Sequence, residues 1–504
     1  MAYFFRNEYH YNLLTFLKKI FCTRISMLDE FIYKEIKLKD IYYFIAIGGI
    51  GMSGLAKYLL EEGFEVLGSD ISQNKNTISL EKLGAKIFIG HNADNLSKKA
   101  VVVSSTAIKA DNPELMKAKE LGLEILHRSD LLARISEGLG ENKKKYFIGY
   151  SGTHGKTTTS GLSSYVLSKA ILNPAFVVGG MVPDIGVNSK SANSDFFVAE
   201  LDESDGTIVK YKPQISVINN LEVDHVDFYT DGMQSILDTF KIYLSNLPQT
   251  AKVLINNDCA GNLMLIEQNP KTKFITFGFN QADYVAKNIK FKGKETSFDI
   301  SYKGEFLTSL KLQLLGNHNV YNALAVLASL NEAKVNLELV KEHFYTFVGM
   351  GRRFQLAAEF DGISVYDDYA HHPTEIKATL SSTESFKGKK IVAVFQPHRY
   401  SRLKGLWDDF LGAFVNVDRV YVTDVYAASE APIDGVSGEI FAHQLGEKIS
   451  VKCNHLNGSI ADVASQLLPL LKENDVVIGL GAGTITNLGK EILSLKKEQA
   501  GAKL

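Results

Sequence analysis

Apolar runs alternate with longer amphipathic stretches along most of this chain. The runs at residues 42–47, 100–103 and 391–395 consist of aromatic, β-branched or alanine residues with no polar position inside them. Short continuous runs of this kind predict buried strands of a parallel sheet, and apolar positions spaced three and four residues apart predict helices between them. Because strands and helices alternate, we expect α/β domains in which helices cover both faces of parallel sheets.

The length and the boundaries between apolar groups predict several domains. A chain of 504 residues with a hydrophobic fraction of 45% suits about three of them. A polar segment at residues 137–145 follows the first group of strands, and the sequence GMGRRF at residues 349–354 marks a second boundary. The predicted segments are an N-terminal extension at residues 1–38 and domains at residues 39–140, 145–348 and 349–504.

Composition and charge exclude some functional classes. A formal net charge of -2 and a pI near 6.7 give no basic surface for a nucleic-acid backbone, so we expect no nucleic-acid partner. No apolar run reaches the roughly 18 residues of a membrane-spanning helix, so we expect no integral membrane segment. Cys22, Cys259 and Cys453 are far apart and odd in number, which favours a reducing, cytoplasmic location over a disulfide framework or a zinc site.

The N-terminal extension has two interpretations. Residues 9–22 are apolar and aromatic but carry Lys18 and Lys19, and no small-residue cleavage site follows, so a signal peptide is not predicted. The stretch could form an amphipathic helix on a membrane surface. Alternatively, it is a segment appended before an internal start at Met27, which is the simpler interpretation.

The sequence GTHGKTT at residues 152–158 follows an apolar run and opens a helical pattern. Its glycines allow backbone N–H groups to turn inward around phosphate oxygens, Lys156 supplies a charge for the β- and γ-phosphates, and Thr157 offers a hydroxyl to Mg²⁺. The loop is shorter than the common phosphate-binding loop, because Tyr150 stands where that loop has its first glycine. Nucleoside triphosphate chemistry is therefore the first hypothesis. Its candidate residues are Gly152, Thr153, His154, Gly155, Lys156, Thr157 and Thr158.

A second glycine motif, Gly49-x-Gly51-x-x-Gly54, lies between an apolar run and a helical pattern at residues 55–62. Asp70 follows the next strand pattern, where a dinucleotide-binding domain holds a ribose hydroxyl. The motif predicts a pyrophosphate ligand but leaves open NAD or FAD, another diphosphate, or a turn without a ligand. The candidate residues are Gly49, Ile50, Gly51, Met52, Ser53, Gly54 and Asp70, with Ser104, Ser105 and Thr106 after another strand. An ordinary polar turn explains those three hydroxyl residues equally well.

Two strand patterns of the middle region end in acidic clusters. Glu200 and His225 lie in these clusters, and the carboxyl ends of parallel strands meet at one edge of a sheet. Both residues are therefore candidates to hold Mg²⁺ together with Thr157. A helix-capping role for Glu200 and a structural role for His225 are the alternatives.

Two asparagines later in the middle region are candidates for nucleobase contact. Asn319 and Asn322 lie three residues apart in a helical pattern, so their amides share one face and could pair with the edge of adenine. Capping of that helix by Asn317 is the alternative.

In the last region, four strand patterns each end in polar residues, as a doubly wound sheet requires. One crevice at the strand ends would collect Asp367, His371, His398, Arg399 and Arg402. The two arginines offer forked donors for a carboxylate or a phosphate. Solvated surface arginines and histidines that cap the sheet are the alternatives.

Together these motifs resemble those of the amino-acid ligases of peptidoglycan synthesis, the Mur ligase family, from about Lys39 to the C-terminal region. Leu201 stands where the family usually has alanine, and Ala370 where it often has glycine. The similarity is carried, in the family's order, by GIGMSG at residues 49–54, GTHGKTT at 152–158, DESD at 202–205, NVYN at 319–322, RRF at 352–354, HHPT at 371–374 and QPHRYSR at 396–402.

The resemblance implies a three-domain α/β fold. It implies a Rossmann-like N-terminal domain for the UDP of a sugar nucleotide, a central P-loop ATPase-type α/β domain for ATP, and a C-terminal Rossmann-like doubly wound domain for the amino acid. The implied roles are Mg²⁺ ligation by Thr157, Glu200 and His225, adenine contact by Asn319 and Asn322, nucleotide contact by Arg353 and Asp367, and binding of the amino acid and the reacting carboxylate by His371, His398, Arg399 and Arg402. The candidate catalytic residues are Lys156, His225, His371 and Arg399.

The reaction implied by the resemblance is the ATP-dependent ligation of L-alanine to the lactyl carboxylate of UDP-N-acetylmuramate through an acyl phosphate. The nearest alternative is a recycling ligase that adds an intact peptide to the same sugar nucleotide, although the sequence at residues 396–402 favours a single alanine. A non-catalytic nucleotide sensor would not need the histidines and arginines of the last region, and a dehydrogenase would not need the phosphate loop. The sequence favours neither a monomer nor a homodimer.

Overall fold

The computed structural model describes residues 41–139, 144–226, 228–292, 295–386, 388–428 and 430–501. Both interpretations of the N-terminal extension, and Cys22, lie outside these residues. Within them, no helix combines the length and the apolar character that crossing a bilayer requires.

The first domain is built on five parallel strands in the order β3-β2-β1-β4-β5. Its elements are β1 (Ile41–Ile45), α1 (Ile50–Glu61), β2 (Glu65–Asp70), α2 (Lys75–Lys82), β3 (Lys86–Ile89), β4 (Ala100–Ser104), α3 (Pro113–Glu120), β5 (Ile125–His127) and α4 (Arg128–Glu137). The central strand β1 is apolar at every position because both faces are covered. Tyr42 and Phe44 enter one core, and Tyr43 and Ile45 enter the other.

Helix α1 begins at Ile50, so the sequence-based start at residue 55 was wrong. Gly49 is the N-cap, and two further glycines lie inside the helix, where glycine usually costs stability. The structure explains Gly54, because a Cβ there would lie 3.0 Å from Nδ2 of Asn188 in the middle domain. Gly54 therefore allows the helix to approach the middle domain closely, and it is not needed to form a turn.

The middle domain contains a ten-stranded sheet in the order β15-β14-β13-β12-β11-β10-β6-β9-β7-β8. Its elements are β6 (Tyr146–Ser151), α5 (Lys156–Lys169), β7 (Ala175–Val182), β8 (Val187–Lys190), β9 (Phe196–Glu200), β10 (Ile215–Ile218), α6 (Met233–Asn246), β11 (Lys252–Asn256), α7 (Ala260–Gln268), β12 (Phe274–Gly278), β13 (Tyr284–Lys292), β14 (Glu295–Tyr302), β15 (Glu305–Leu312), α8 (Asn317–Glu332), α9 (Leu337–Val340) and α10 (His343–Thr346). The strands from β9 through β6 to β12 are parallel, whereas β14, β15 and β8 add antiparallel edges that the sequence did not predict.

The last domain has a six-stranded sheet in the order β16-β17-β21-β18-β19-β20, parallel except for β16 at one edge. Its elements are β16 (Gln355–Phe360), β17 (Ile363–Asp368), α11 (Pro373–Ser381), β18 (Lys390–Phe395), α12 (Tyr400–Gly405), α13 (Trp407–Leu411), β19 (Arg419–Thr423), α14 (Gly438–Lys448), β20 (Lys452–Leu456), α15 (Ile460–Leu467), β21 (Asp475–Leu480) and α16 (Leu488–Gly501). Apolar clusters fill both faces of this sheet. The predicted three-domain α/β fold class is confirmed.

The two junctions between domains differ in chemistry. The first and middle domains share one apolar core, in which Tyr58 of α1 packs edge-to-face on Phe197 of β9 at 6.2 Å. The last domain has apolar clusters of its own and meets the middle domain through polar side chains such as Arg402 and Asp224. An apolar joint resists separation, whereas polar contacts exchange readily with water. We therefore expect the last domain to be the one that moves.

Candidate active site

The phosphate loop, residues 152–158, connects the buried strand β6 to helix α5. Gly152 and Gly155 have φ angles of 122° and 80°, which side chains rarely adopt. A Cβ on Gly152 would lie 2.8 Å from the carbonyl oxygen of Asn220, and one on Gly155 would lie 2.6 Å from Oδ1 of Asn322. Both glycines are therefore required by backbone conformation and by the close approach of neighbouring segments.

Lys156 is held inside this loop by three oxygens. Its Nζ donates to the carbonyl oxygens of Gly152 at 2.7 Å and Thr153 at 3.0 Å, and to Oε1 of Glu203 at 2.9 Å. Burial favours the neutral amine, but the nearby carboxylates, Glu203 first, outweigh it and raise the pKa of Lys156 above its ordinary value. The ammonium therefore stays charged inside the loop that would surround a phosphate chain.

The candidate magnesium ligands Thr157 and Glu200 flank two glycines of strand β7. A Cβ on Gly179 would overlap Oε2 of Glu200, and one on Gly180 would lie 3.2 Å from the methyl group of Thr157. The backbone N–H of Gly179 donates to Oε2 of Glu200 at 2.8 Å, which fixes the carboxylate. A hydroxyl and an oriented carboxylate beside one strand suit a hard cation.

His225, the third predicted ligand, follows the acidic cluster after β10 and has a left-handed backbone, with φ at 52°. Burial, with further contributions from the Lys156 and Arg402 charges, lowers the pKa of its imidazole against the opposing effect of Asp224. A neutral imidazole is the form that binds a metal. These three residues therefore fit the chemistry of a magnesium site next to the phosphate loop.

A substitution at Gly179 tests this arrangement without touching a ligand. We expect Gly179→Ala to displace the Glu200 carboxylate and to raise the Mg²⁺ concentration for half-maximal activity by about tenfold, because lost support of a ligand typically costs that much or more. Titration of ATP-dependent activity with Mg²⁺ measures the effect. Gly412→Ala is the control, because the nearest atom that a Cβ there would approach, among the described residues, is the carbonyl oxygen of Asp409 at 3.6 Å. An unchanged Mg²⁺ requirement in Gly179→Ala would contradict the placement of Glu200.

The glycine motif of the first domain forms the N-terminus of α1. The backbone N–H of Gly48 donates to Oδ2 of Asp70 at 2.8 Å, so this buried carboxylate holds the turn in place. Asp70, which the sequence analysis predicted to bind a ribose hydroxyl, thus has one oxygen bonded to the backbone of the turn. The guanidinium of Arg128 lies 3.7 Å from the Cβ position of Gly51 and pairs with Asp202 of the middle domain.

The turn after β4, with its three hydroxyl residues, faces the acidic loop at residues 202–205 that also contains Asp202. Strand β4 lies beside β1, so Ser104, Ser105 and Thr106 are at the sheet edge that carries the glycine motif. Thr106 donates to Oδ2 of Asp205 at 3.4 Å, and Nε2 of His127 lies 3.5 Å from the same oxygen. Both halves of the predicted diphosphate site therefore open towards residues 202–205.

A cavity of about 570 Å³ lies between the middle and last domains. Its lining residues include His154, Gly155 and Thr158 of the phosphate loop, Asn319 and Asn322 of α8, and Arg353 and Glu375 of the last domain. Asn322 donates to Oδ1 of Asn319 at 3.3 Å, so the two amides share the face that the spacing predicted. Gly316 is the N-cap of α8, and no side-chain capping bond is present, so the alternative role of Asn317 was wrong.

Asp367 is separate from this cavity. It accepts from Nε of Arg352 at 3.2 Å and from the hydroxyl of Thr486 at 2.7 Å. Its other oxygen, Oδ1, is buried and has no hydrogen-bond partner among the residues that the structure describes. Arg353 lines the cavity instead and lies over the ring of Tyr369 at 5.3 Å.

The histidines and arginines predicted for the last domain form a cluster at the ends of β17 and β18. The rings of His371 and His398 are 5.9 Å apart, and Nη1 of Arg402 lies 3.3 Å from Nδ1 of His398. Burial lowers the pKa of His371 to about 3 and, with the neighbouring arginines, that of His398 to about 4. Both imidazoles are therefore neutral at physiological pH.

Arg399 is anchored by an acidic residue that the sequence analysis missed. Its Nε donates to Glu430 at 2.5 Å, and the same carboxylate accepts from the backbone N–H and the hydroxyl of Ser401 at the start of α12. Arg399 also has a left-handed backbone, with φ at 72°. Because residues 399 and 430 come from different loops, no spacing in the sequence indicates this pair.

Three carboxylates of the described residues take part in the contact between the middle and last domains. Asp224 accepts from Nε of Arg402 at 3.2 Å, Glu222 accepts from the hydroxyl of Thr374, and Glu375 lies 3.3 Å from Nδ1 of His154. Glu222, Asp224 and Glu375 were not candidates in the sequence analysis. The only local signal for Glu375 is its position four residues after His371, at the start of a helix.

The charge on His154 makes this contact dependent on pH. Burial opposes protonation, but Glu222 and Glu375 outweigh it and raise the pKa of His154 to about 9. A pKa raised above the ordinary value of about 6.5 gives stabilisation that is complete below about pH 6.5 and lost above about pH 9. We expect His154→Asn to remove about 2–3 kcal/mol of this pH-dependent free energy of unfolding. Chemical denaturation of both proteins between pH 6 and 10 measures it, and equal pH dependence would refute the assignment.

Comparisons with known proteins find similar sequences along most of this chain. Sequence models match three consecutive segments: "Mur ligase family, catalytic domain" at residues 41–138, "Mur ligase middle domain" at residues 151–330 and "Mur ligase, glutamate ligase domain" at residues 352–483. A UDP-N-acetylmuramate–L-alanine ligase from Geotalea daltonii is 40% identical over 460 residues, covering 90% of this chain and 98% of the relative.

Solved structures of similar fold cover most of this chain. The crystal structure of a UDP-N-acetylmuramate-alanine ligase from Thermotoga maritima is similar with a TM-score of 0.76 and 29% identity, covering 91% of this chain and 99% of the other. A murein peptide ligase from Psychrobacter arcticus has a TM-score of 0.66 at 21% identity, covering 90% and 98%. At that identity the second comparison concerns the fold alone.

Proposed function

This chain belongs to the Mur ligase family, and from that premise we propose that it joins L-alanine to the lactyl carboxylate of UDP-N-acetylmuramate with the consumption of ATP. The observation that carries the proposal is the Asp224–Arg402 pair. The pair holds the histidines and arginines of the last domain against the segment that follows β10, the strand beside β6 and its phosphate loop. ATP, the phosphoryl donor, and L-alanine, whose amine attacks the acyl phosphate, would then lie in one space between the two domains.

The phosphate loop supports the first step, transfer of the γ-phosphoryl group of ATP to the carboxylate. A free carboxylate is a poor electrophile, whereas the acyl phosphate, a mixed anhydride of that carboxylate with phosphate, is a good one. Lys156, already charged within the loop, would exchange its contacts with the Gly152 and Thr153 carbonyls for phosphate oxygens as charge shifts during transfer. Thr157, Glu200 and His225 would hold Mg²⁺, which would neutralise part of the phosphate charge.

The cluster of the last domain supports the second step, attack of the amine of alanine on the acyl carbon. Arg399 and Arg402 bind carboxylates, while neutral His371 and His398 offer acceptors for N–H groups. The new C–N bond forms and the C–O bond to phosphate breaks. One of the two protons lost from the ammonium leaves with phosphate as HPO₄²⁻, and the other passes to solvent.

Closure of the last domain would protect the acyl phosphate from water. The polar junction between the middle and last domains can open for substrates and close during reaction, whereas the apolar junction keeps the first domain fixed. The first domain would hold the UDP part of the sugar nucleotide, with the N-terminus of α1 facing its diphosphate. Arg128, near Gly51, adds a positive charge at that position.

The decisive assay is ATP-dependent phosphate release with UDP-N-acetylmuramate, run with and without L-alanine, and with a tripeptide as the other acceptor. We expect stoichiometric phosphate and alanylated sugar nucleotide with L-alanine only. The 40% identity to an L-alanine ligase over most of both chains favours this acceptor over a peptide. Product with the tripeptide and none with L-alanine would instead support the recycling ligase.

A further inference from the structure

Glu375 contacts both halves of the proposed active site. It is the third residue of α11, and its side chain is 11% exposed between the middle and last domains. Oxygen Oε1 lies 3.3 Å from Nδ1 of His154 in the phosphate loop and 3.5 Å from Nη1 of Arg353. Oxygen Oε2 accepts from the backbone N–H of His371 at 3.1 Å and lies 3.4 Å from its Nδ1. One carboxylate thus joins the nucleotide side to the amino-acid side.

The contacts of His371 determine which ring nitrogen can receive a substrate. Nδ1 lies 2.9 Å from the carbonyl oxygen of Tyr369, and a carbonyl can only accept, so Nδ1 carries the proton. Nε2 therefore keeps its lone pair. The ring is also neutral, since burial lowers its pKa to about 3. An incoming amine can donate an N–H to Nε2, which directs the nitrogen lone pair away from the ring.

The other oxygen of Glu375 contacts groups that must respond to ATP. His154 belongs to the loop that surrounds the phosphates, and Arg353 lines the cavity between the domains. A triphosphate that attracts Arg353 or shifts the loop changes the position of Oε1, and a rigid carboxylate carries that change to Oε2. The converse holds as well, because a coupling between two ligands is reciprocal.

We propose that Glu375 is a positioning residue through which ATP and L-alanine strengthen each other's binding, because its carboxylate ties the orientation of His371 to the position of the phosphate loop. The inference rests on the proposed function, since it takes L-alanine as the ligand near His371. It predicts that each of the two ligands binds more tightly when the other is already bound. No contact of Glu375 with a reacting atom is required.

The test is the affinity of a non-hydrolysable ATP analogue at saturating UDP-N-acetylmuramate, measured by calorimetry with and without L-alanine. In the wild type we expect L-alanine to tighten the analogue about five- to tenfold. In Glu375→Gln we expect less than about a twofold change, because an amide offers one acceptor oxygen in place of two. If Glu375 had only a structural role, Glu375→Gln would change the affinity for the analogue equally with and without L-alanine, so the ratio of the two affinities would stay the same.

Two further variants make the result specific. Glu375→Asp keeps the charge opposite His154, so it should fold, but its shorter side chain cannot reach both histidines and should also lose the coupling. Thr374→Val removes a neighbouring contact across the same junction, to Glu222, and should keep the coupling. Coupling that persists in Glu375→Gln or Glu375→Asp, or that disappears equally in Thr374→Val, would overturn the proposal, as would its absence in the wild type.

The ligation assay separates this proposal from the function on which it rests. A wild-type protein that forms no alanylated product fails the proposed function. A wild-type protein that forms product, while its coupling is unaffected by Glu375→Gln, fails the inference alone.

Discussion

Lys156→Ala is expected to lower the rate of ATP-dependent phosphate release by at least about a thousandfold while UDP-sugar binding stays unchanged. The ammonium lies inside the loop that would surround a triphosphate, and losing a charge that stabilises phosphoryl transfer costs about three to five orders of magnitude. The UDP sugar is assigned to a different domain, so its affinity should not depend on this residue. Phosphate release and UDP-sugar calorimetry measure the two effects separately.

The controls for Lys156→Ala distinguish chemistry from folding. Removing the lysine leaves Glu203, which is 3% exposed, without its ion partner, and this destabilises the protein. The double variant Lys156→Ala/Glu203→Gln should recover stability but not activity. Lys169→Ala, at the far end of the same helix, should leave activity as it is. Substantial turnover in the well-folded double variant would remove Lys156 from the proposed mechanism.

Arg402→Met is expected to lower kcat/KM for L-alanine about a hundred- to a thousandfold. Arg402 and Asp224 are 7% and 6% exposed, and each is the other's charged partner across the junction between domains. Breaking one side of a buried pair costs about 3–5 kcal/mol, because the second charge is left without compensation. Steady-state kinetics with varied L-alanine measure the loss.

Two comparisons sharpen the Arg402 prediction. The double variant Asp224→Asn/Arg402→Met leaves no unpaired charge, so part of the loss should be recovered if the pair closes the domains. Arg419→Met breaks another largely buried arginine pair, with Asp475, inside the last domain. It should lower stability without selectively raising KM for L-alanine. Equal effects of Arg402→Met and Arg419→Met on that KM would assign Arg402 a structural role only.

Much of the fold could be predicted from local sequence. The alternation of apolar runs and helical patterns gave the α/β class, and the glycine-rich loop before α5 gave the position of the phosphate loop. The start of α1 was wrong, because glycine usually disfavours a helix, and the neighbour that requires Gly54 is Asn188 of the middle domain. The antiparallel edge strands were missed as well, since edge strands carry weaker apolar patterns.

The candidate site was predictable one strand end at a time. His371, His398 and Arg402 were placed together correctly, because the carboxyl ends of parallel strands meet at one sheet edge. The carboxylates that fix them were not predictable. Asp224 lies 178 positions from Arg402, and Glu222 lies 152 positions from Thr374. The roles of the predicted residues in binding and catalysis stay predictions that the variants above would test.

The sequence by itself determined the buried parallel strands, the two glycine-rich turns and the residues at the ends of those strands, because these follow from backbone propensity and from chemistry within a few neighbouring positions. Only the tertiary structure decided which charges meet: Lys156 with Glu203, Arg402 with Asp224, and Glu375 with His154. Such pairs depend on how the loops of one domain pack together, as for Lys156 and Glu203, or on how separately folded domains dock, as for Arg402 and Asp224. Docking brings together side chains that no local pattern relates, and burial then makes their charges interdependent.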